Sequence, residues 1–548
     1  MIRITELSIP WGDPTENRTQ DALRRAILQR LKIEASDLVG FTVYKRSHDA
    51  RRKDREIAFV YIVDVQVRDE DQVLAKHGND RQIAVAPDTS FRPPPRAANH
   101  VDHQPIVVGF GPCGVFAALV LAQQGYRPIV LERGRDVRQR TQDTWGLWRK
   151  RILTTESNVQ FGEGGAGLFS DGKLYSQIKD PRHLGRQVMR EFVRAGAPPE
   201  IMYVSKPHIG TFRLTGVVAK LRNEIIELGG QIRFESKVVD LVIEDGAMRG
   251  VLLDNGEFIA SRHVVLALGH SSRDTFRMLE QRRVFMEPKP FAIGFRIEHP
   301  QSLIDRARLG RFAGHPAIGA ADYKLVHHAD NGRSVYSFCM CPGGTVVAAT
   351  SETQRVVTNG MSQYSRNERN ANAGIVVGID PAKDFPGGPL AGIALQERLE
   401  SRAFELGGND YSAPAQLVGD FIAGRPSISL GAVTPSYKPG ITLTDLGPLL
   451  PDDAIEAMRE ALPVFGRQIR GFDRDDAVLT AIESRTSSPL RITRDVATLQ
   501  SLNVQGLYPG GEGAGYAGGI LSAGVDGIKL AEAVAASISG QAMQRALV

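Results

Sequence analysis

The segment Ile106 to Glu132 limits the fold more than any other stretch of the 548 residues. It starts as an apolar strand, Ile106-Val107-Val108, and enters Gly109-Phe110-Gly111-Pro112-Cys113-Gly114. A helical pattern follows from Phe116 to Gln124, then a second strand from Arg127 to Leu131, closed by Glu132. Strand, helix and strand in so short a span form a βαβ unit, which implies a parallel sheet. Each glycine has its own reason. Gly109 allows the tight turn, Gly111 lets backbone approach a pyrophosphate, and Gly114 lets the helix pack closely on the strand. The helix start, with Pro112 and Cys113, offers unpaired N–H groups and a positive dipole end. Glu132 stands where an acid can accept ribose hydroxyls. A turn that binds nothing would not need strand, turn, helix and acid to agree.

Glycine is enriched, 56 of 548 residues against a usual share of about 7%, and two more clusters matter. Phe161 to Ser176 reads FGEGGAGLFSDGKLYS. So many glycines suit neither a stable helix nor a central strand. Flanked by Phe161, Leu168, Phe169 and Leu174, the cluster reads as backbone held close to a ligand, with Gly164, Gly165, Gly167 and Ser170 as candidates. The other cluster, LYPGGEGAGYAGGI, runs from Leu507 to Ile520. There a strand enters Gly510-Gly511-Glu512, and a long helix, Ile520 to about Ile538, begins at Gly518-Gly519. Glu512 can accept a ribityl hydroxyl. The helix start can stabilise the negative charge that develops on the pyrimidine edge of a reduced flavin.

These clusters order the rest of the chain. Residues 1–87 read as a small α+β domain, with strands at Ile2 to Ile9, Val39 to Tyr44 and Ile57 to Val67 and a helix from Thr19 to Leu31. Residues 88–104, with three consecutive prolines, read as a linker. The dinucleotide-binding domain is expected from two segments, 104–275 and 478–548. Residues 276–477 are expected to form a mixed α+β substrate domain inserted between them. The fold class is therefore α/β, Rossmann-like. Three Cys exclude a disulfide framework. No apolar run reaches membrane length, and the N-terminus has no signal-peptide pattern, so a cytoplasmic location is expected. A net charge of +5 over this length is a weak field and points to no particular partner.

The motifs GFGPCGVFAALVLA, VLERG, FGEGGAGLFSDGKL, KPFAIGFRIEHPQ, YSFCMCPGG, AVLTAIESRTSSPLRI and LYPGGEGAGYAGGI together resemble a bacterial family of FAD-dependent dehydrogenases, or NAD(P)/FAD-dependent oxidoreductases. The wider resemblance is to two-dinucleotide-binding-motif flavoproteins of the glutathione-reductase type. It implies FAD as cofactor, with Gly109, Gly111 and Gly114 at the pyrophosphate and Glu132 at the adenosine ribose. Arg133 would cover the ribose or adenine, and Val238 would meet adenine through its backbone. Gly269 would sit where the chain returns past the FAD, Gly511 and Glu512 at the ribityl chain, and Gly518, Gly519 and Ile520 at the flavin. Cys113 departs from the family pattern, where Ala is expected; its size suits packing, and a helix N-terminus lowers a thiol pKa.

The reaction is less constrained. A second G-x-G-x-x-G between strand and helix is missing, so either NAD(P)H visits the substrate cleft as a transient co-substrate or the small-molecule substrate itself delivers hydride. Cys339 and Cys341 are i and i+2 in a strand and share a face; they read as a redox dithiol or as two small core residues. Arg296 and His299 are candidates for an anion site and a proton shuttle, against an internal salt bridge and a core histidine. Arg485 is another anion-binding candidate, and Arg425 is a weaker one. Metal-ligand spacings are lacking, so no metal is expected. The basic stretch Lys45, Arg46, Arg51, Arg52, Lys53 and Arg55 keeps an RNA-modifying flavoenzyme as an alternative, although interleaved acids favour a solvated loop and disfavour nucleic acid. A non-catalytic FAD-binding redox sensor is the other alternative. The sequence gives neither substrate nor oligomeric state.

Overall fold

The computed structural model describes residues 1–10, 16–49, 58–98, 103–316 and 318–541. Its architecture is mixed α/β. A five-stranded parallel sheet has the order Leu507–Pro509, Val264–Leu266, Ile106–Val108, Ile129–Leu131, Gln231–Arg233. The first strand in sequence is central, and the chain winds outward from it in both directions. Four of its strands are short, apolar and mostly buried, as parallel strands covered on both faces must be, and the edge strand Gln231–Arg233 is more polar and exposed.

Helix Pro112–Gln123 begins at the end of the central strand, and every residue from Cys113 to Ala122 is buried. Helix Ile520–Ser539 packs along it. Two small residues permit that approach. A Cβ on Gly527 would lie 2.2 Å from the Cys113 carbonyl oxygen, and one on Gly524 would lie 3.0 Å from the Phe116 ring.

Over the carboxyl ends of the parallel strands stands a second, larger sheet. Its order is Val326–His328, Ser334–Ala348, Asn370–Ile379, Phe291–Pro300, Val478–Glu483, Ala413–Leu417, Ile441–Leu443, with Thr358–Ser362 paired to Ser334–Ala348. Most of its pairs are antiparallel. Val478–Glu483 thus lies inside this sheet, between Phe291–Pro300 and Ala413–Leu417, although residue 478 is the expected start of the second dinucleotide-binding segment. All six of its residues are buried, so the run reads alike for either sheet, and only cross-strand pairing decides its place.

The N-terminal residues build a four-stranded sheet, ordered Leu38–Asp49, Ala58–Val67, Ile2–Pro10, Ile83–Val85, with its own core of Ile2, Ile4, Leu23, Ile27, Leu31, Tyr61 and Val63. Here the strand Leu38–Asp49 runs through Lys45 and Arg46, which the sequence placed in a loop. Arg46 docks on the following body: its N–H donates to Tyr203 O at 2.6 Å, and its carbonyl accepts from Ser205 at 2.9 Å. Tyr44 lies between the guanidinium groups of Arg3 and Arg186, at 3.6 and 4.2 Å. Its ring is therefore occupied within the protein. Arg51, Arg52, Lys53 and Arg55 lie outside the described residues.

Candidate functional site

A cleft of about 360 Å³ opens where the parallel strands end and the large sheet begins. This is the crevice at the carboxyl ends of an α/β sheet, where chain direction switches from one side of the central strand to the other. The glycines explain how backbone comes to line it. Gly109 has φ +97°, and a Cβ there would lie 2.6 Å from Ala267 O on the neighbouring strand's exit. A Cβ on Gly165 would lie 2.8 Å from the Gly111 Cα, so two glycine loops meet edge to edge. By contrast, a Cβ on Gly269, Gly518 or Gly519 would meet nothing within 4 Å. Those three glycines present bare backbone to open space in the cleft.

Two helices of 12 and 20 residues begin at this cleft, capped by Gly111 and Gly519. Glycine has no side chain to satisfy the first N–H groups, so both positive dipole ends face the same cavity. The acid Glu132 holds the walls together. It is 5% exposed and accepts from the N–H groups of Phe110 at 2.8 Å, Gly134 at 2.9 Å and Gly162 at 2.9 Å. One carboxylate therefore fastens three loops, and its edge also lines the cleft. Arg133 stacks on Phe161 at 4.1 Å and bonds Glu156 and Asp274. Lys237 joins the same two acids, and these cations hold the Asp274 carboxyl well below its usual range. Val238 lies beside them at this end. At the other end, Glu512 meets the His270 ring at 3.2 Å, close to Gly518, Gly519 and Ile520.

Three predicted ligand residues sit beneath the lining instead. A Cβ on Gly114 would be 1.9 Å from Gly109 O, so this glycine serves helix–strand packing. Gly164 supports Leu168 and donates to Phe110 O at 2.8 Å. Gly511 packs on Cys113 and donates to Asp526 at 2.8 Å. Ser170 lines the cleft, but its hydroxyl is spent inside its own turn, on Gly167 O and Gly172 N. Gly167 lies under Ile520. Burial, with Asp526 nearby, pushes the Cys113 thiol up, opposite to the lowering a helix N-terminus alone would give.

Arg296 and His299 need correction. Both are fully buried within the large sheet, and neither lines the cleft, although Arg296 lies directly behind its wall. Arg296 pairs with Glu483 at 2.6 and 3.0 Å and donates to Asn359, Asn372 and the Cys339 carbonyl. His299 bonds Phe472 O through Nε2 at 2.6 Å, and burial lowers its pKa to about 4. A cation neutralised by its own carboxylate and a dry neutral imidazole serve the core. Arg485 does reach the cleft, held by Glu400, Ser271 and Ser351. Exposed Arg425 pairs with Asp420. Cys339 lines the cleft, whereas Cys341 is buried behind it.

Two features escaped sequence reasoning. Arg140 is wholly buried, and its guanidinium donates to the carbonyls of Asn158, Val159, Gly162 and Glu163. It shapes the second glycine loop from inside, yet it sits among other basic residues of a polar helix and carries no local signal. Lys173 also lines the cleft, and its ammonium bonds the Met340 carbonyl. A larger cavity, about 820 Å³, lies on the far side of the turn Ala166–Phe169, with Trp145, Trp148 and Phe212 in its walls. Its lining is mainly apolar side chain, and the helix Thr211–Glu227, capped by Gly210, begins at its wall.

Residues 290–486 match a family model described as "FAD-dependent protein, C-terminal domain-like". Residues 1–66 match a domain of unknown function. An uncharacterised protein of Clostridium beijerinckii is 47% identical over 533 residues, covering 97% of this chain and 98% of that protein. Among solved structures, glycine oxidase from Bacillus cereus overlaps 81% of this chain and 99% of its own at 12% identity and a TM-score of 0.31. L-proline dehydrogenase from P. horikoshii overlaps 82% and 95% at 12% identity and a TM-score of 0.33. Halogenase PltM overlaps 81% and 71% at 11% identity and a TM-score of 0.36. No helix among the described residues is long and apolar enough to cross a membrane.

Proposed function

The chain belongs to one family with the clostridial protein and contains the FAD-dependent protein domain, and on that premise we propose that it is an FAD-dependent oxidoreductase acting on a small molecule. One observation carries the reading. Two glycine-capped helix starts and three open glycines converge on a single cleft at the carboxyl ends of parallel strands. That donor set fits an extended dinucleotide with two electron-rich regions. The layout favours the glutathione-reductase type, with the large sheet serving as the substrate domain.

The residues present fit FAD. Gly111 and the first turn of Pro112–Gln123 would hold the pyrophosphate. Glu132, Arg133 and Val238 would hold the adenosine end, Glu512 the ribityl chain, and the Gly519 helix start the ring. When bound, the flavin supplies hydride and electron-transfer chemistry. The protein's share is orientation, charge and the exclusion of water. The start of Ile520–Ser539 would favour negative charge on the reduced ring. His270 would steady Glu512. NAD(P)H enters as a transient co-substrate or gives way to a substrate that donates hydride itself.

Anaerobic titration of the flavin-loaded protein with NADPH, then NADH, separates the two. Rapid bleaching of the flavin band by either marks a nicotinamide-fed reductase. No bleaching, with dithionite still effective, assigns the donor role to the substrate. A protein that takes up no FAD refutes the reading.

A further inference from the structure

We propose that Cys339 and Cys341 form a dithiol–disulfide couple that exchanges two electrons with the flavin in the cleft, Cys339 facing the ring and Cys341 resolving. The inference rests on the FAD reading above.

Strand geometry comes first. In a regular strand, residues i and i+2 lie about 6.6 Å apart, near the upper limit of about 6.8 Å for bridged Cα atoms. This strand is not regular. Phe338 pairs with Gly374, Cys341 with Asn372 and Gly344 with Asn370. Three steps along this strand thus match two on its partner, twice in succession. Each bulge inserts one residue, contracts the chain and re-aims a side chain. Cys339 carries the distortion, with φ +45°, a left-handed conformation rare outside glycine. Such strain gathers at functional positions.

The distortion sorts the thiols. Cys339 faces the cleft that Gly518 and Gly519 also line. Cys341 is 0% exposed, and its sulfur lies 3.3 Å from the Cys339 carbonyl oxygen.

Charge then separates their roles. The Lys173 ammonium bonds the carbonyl of Met340, between the cysteines, and Arg296 donates to the Cys339 carbonyl at 2.9 Å. Asp171 and Glu483 counter them in part, Asp171 at 3.7 Å from Lys173. The Cys341 thiol and the two cations pull the Cys339 thiol down, whereas the neighbouring Cys339 and burial push Cys341 up. A low-pKa thiolate on the open side and a thiol behind it is the arrangement exchange chemistry needs.

The electron balance closes within the site. The resting pair is one thiolate and one thiol. The Cys341 S–H bond breaks, the Cys339–Cys341 S–S bond forms, and two electrons leave the sulfurs. Oxidised flavin accepts the two electrons and the one proton, becoming its two-electron-reduced anion. The reverse reaction reduces the disulfide, so the pair can relay electrons to or from a substrate thiol or disulfide.

The test is an anaerobic dithionite titration of ferricyanide-treated holoprotein, with flavin absorbance followed throughout and differential alkylation of the Cys339–Cys341 peptide read by mass spectrometry. The wild type should take up four electrons per flavin, and the peptide should gain two alkyl groups only after reduction. Cys339→Ser and Cys341→Ser should each take up two electrons per flavin. A yellow wild type that takes up two electrons, with both thiols alkylated before reduction, overturns the dithiol and leaves the FAD reading standing. A protein that takes up no flavin overturns both. Should a serine variant fail to fold, the wild-type peptide masses decide alone.

Discussion

Two alanine substitutions a single helical turn apart should have opposite effects. At Gly111 the backbone has φ −78°, open to any residue, and a Cβ would lie 3.5 Å from the nearest atom, the Gly165 Cα. That is ordinary contact, so Gly111→Ala should change the stability of the flavin-free protein by no more than about 0.5 kcal/mol. Its methyl would, however, occupy the wall where a pyrophosphate must approach bare backbone. At Gly114 a Cβ would lie 1.9 Å from Gly109 O and 3.0 Å from its carbon. The obstacle is backbone, so helix or strand must move, at a cost of about 1–3 kcal/mol or more. Adding FAD at 100 times its Kd should stabilise the wild type by about 2.7 kcal/mol; with affinity a hundredfold weaker, the same FAD would add only about 0.4 kcal/mol. Urea unfolding with and without FAD reads both terms. Gly111→Ala should keep the flavin-free midpoint and lose the FAD increment, and Gly114→Ala should lose the flavin-free midpoint. The reasoning fails if Gly111→Ala retains the full increment, or if the two variants lose flavin-free stability equally.

Other expectations follow from the same contacts. Glu132→Gln puts an amide N–H₂ against backbone donors that now bond the carboxylate; it should cost about 1–3 kcal/mol and weaken FAD binding, read by thermal unfolding and flavin titration. Arg140→Lys replaces a fork that reaches four carbonyls with a single ammonium; stability should fall by about 2–4 kcal/mol, and limited proteolysis should find new cuts within residues 158–163. His299 has its pKa lowered to about 4 from 6.5 by burial. Between those values the unfolded chain takes up a proton that the native state refuses. Stability should therefore fall as pH drops through this window, by about 3 kcal/mol in all from this residue. His299→Leu should show a shallower acid limb when unfolding free energy is measured from pH 7 to 4.

What could be read from the sequence was what backbone geometry demands locally. Gly114 faces a steric limit set by Gly109, a few positions away, so the strand–turn–helix unit and Glu132 stand out in the linear chain. The helix start at Gly519 is legible for the same reason. Side chains whose partners come from far along the chain are another matter. Arg296 meets Glu483 across 187 positions, and GFRIEHP carries no mark of that pairing, so a buried ion pair reads as an anion site. His299 stands two positions short of a proline-bounded helix and looks available, but Phe472 covers it. The double bulge at Cys339 depends on the register with Asn370–Ile379, which no pattern within YSFCMCPGG discloses. Residues Lys45 to Asp49 read as loop because they are charged, although on an edge strand such residues pair through their backbone.

The account stands or falls on what occupies the cleft. The direct measurement is to saturate the purified protein with FAD, remove free flavin, release the bound fraction by heat and identify it by chromatography against FAD and FMN. The account predicts one FAD per chain and little retention of FMN, because Glu132, Arg133 and Val238 serve an adenosine end that FMN lacks. Retention of neither flavin, or of FMN as readily as FAD, would contradict it.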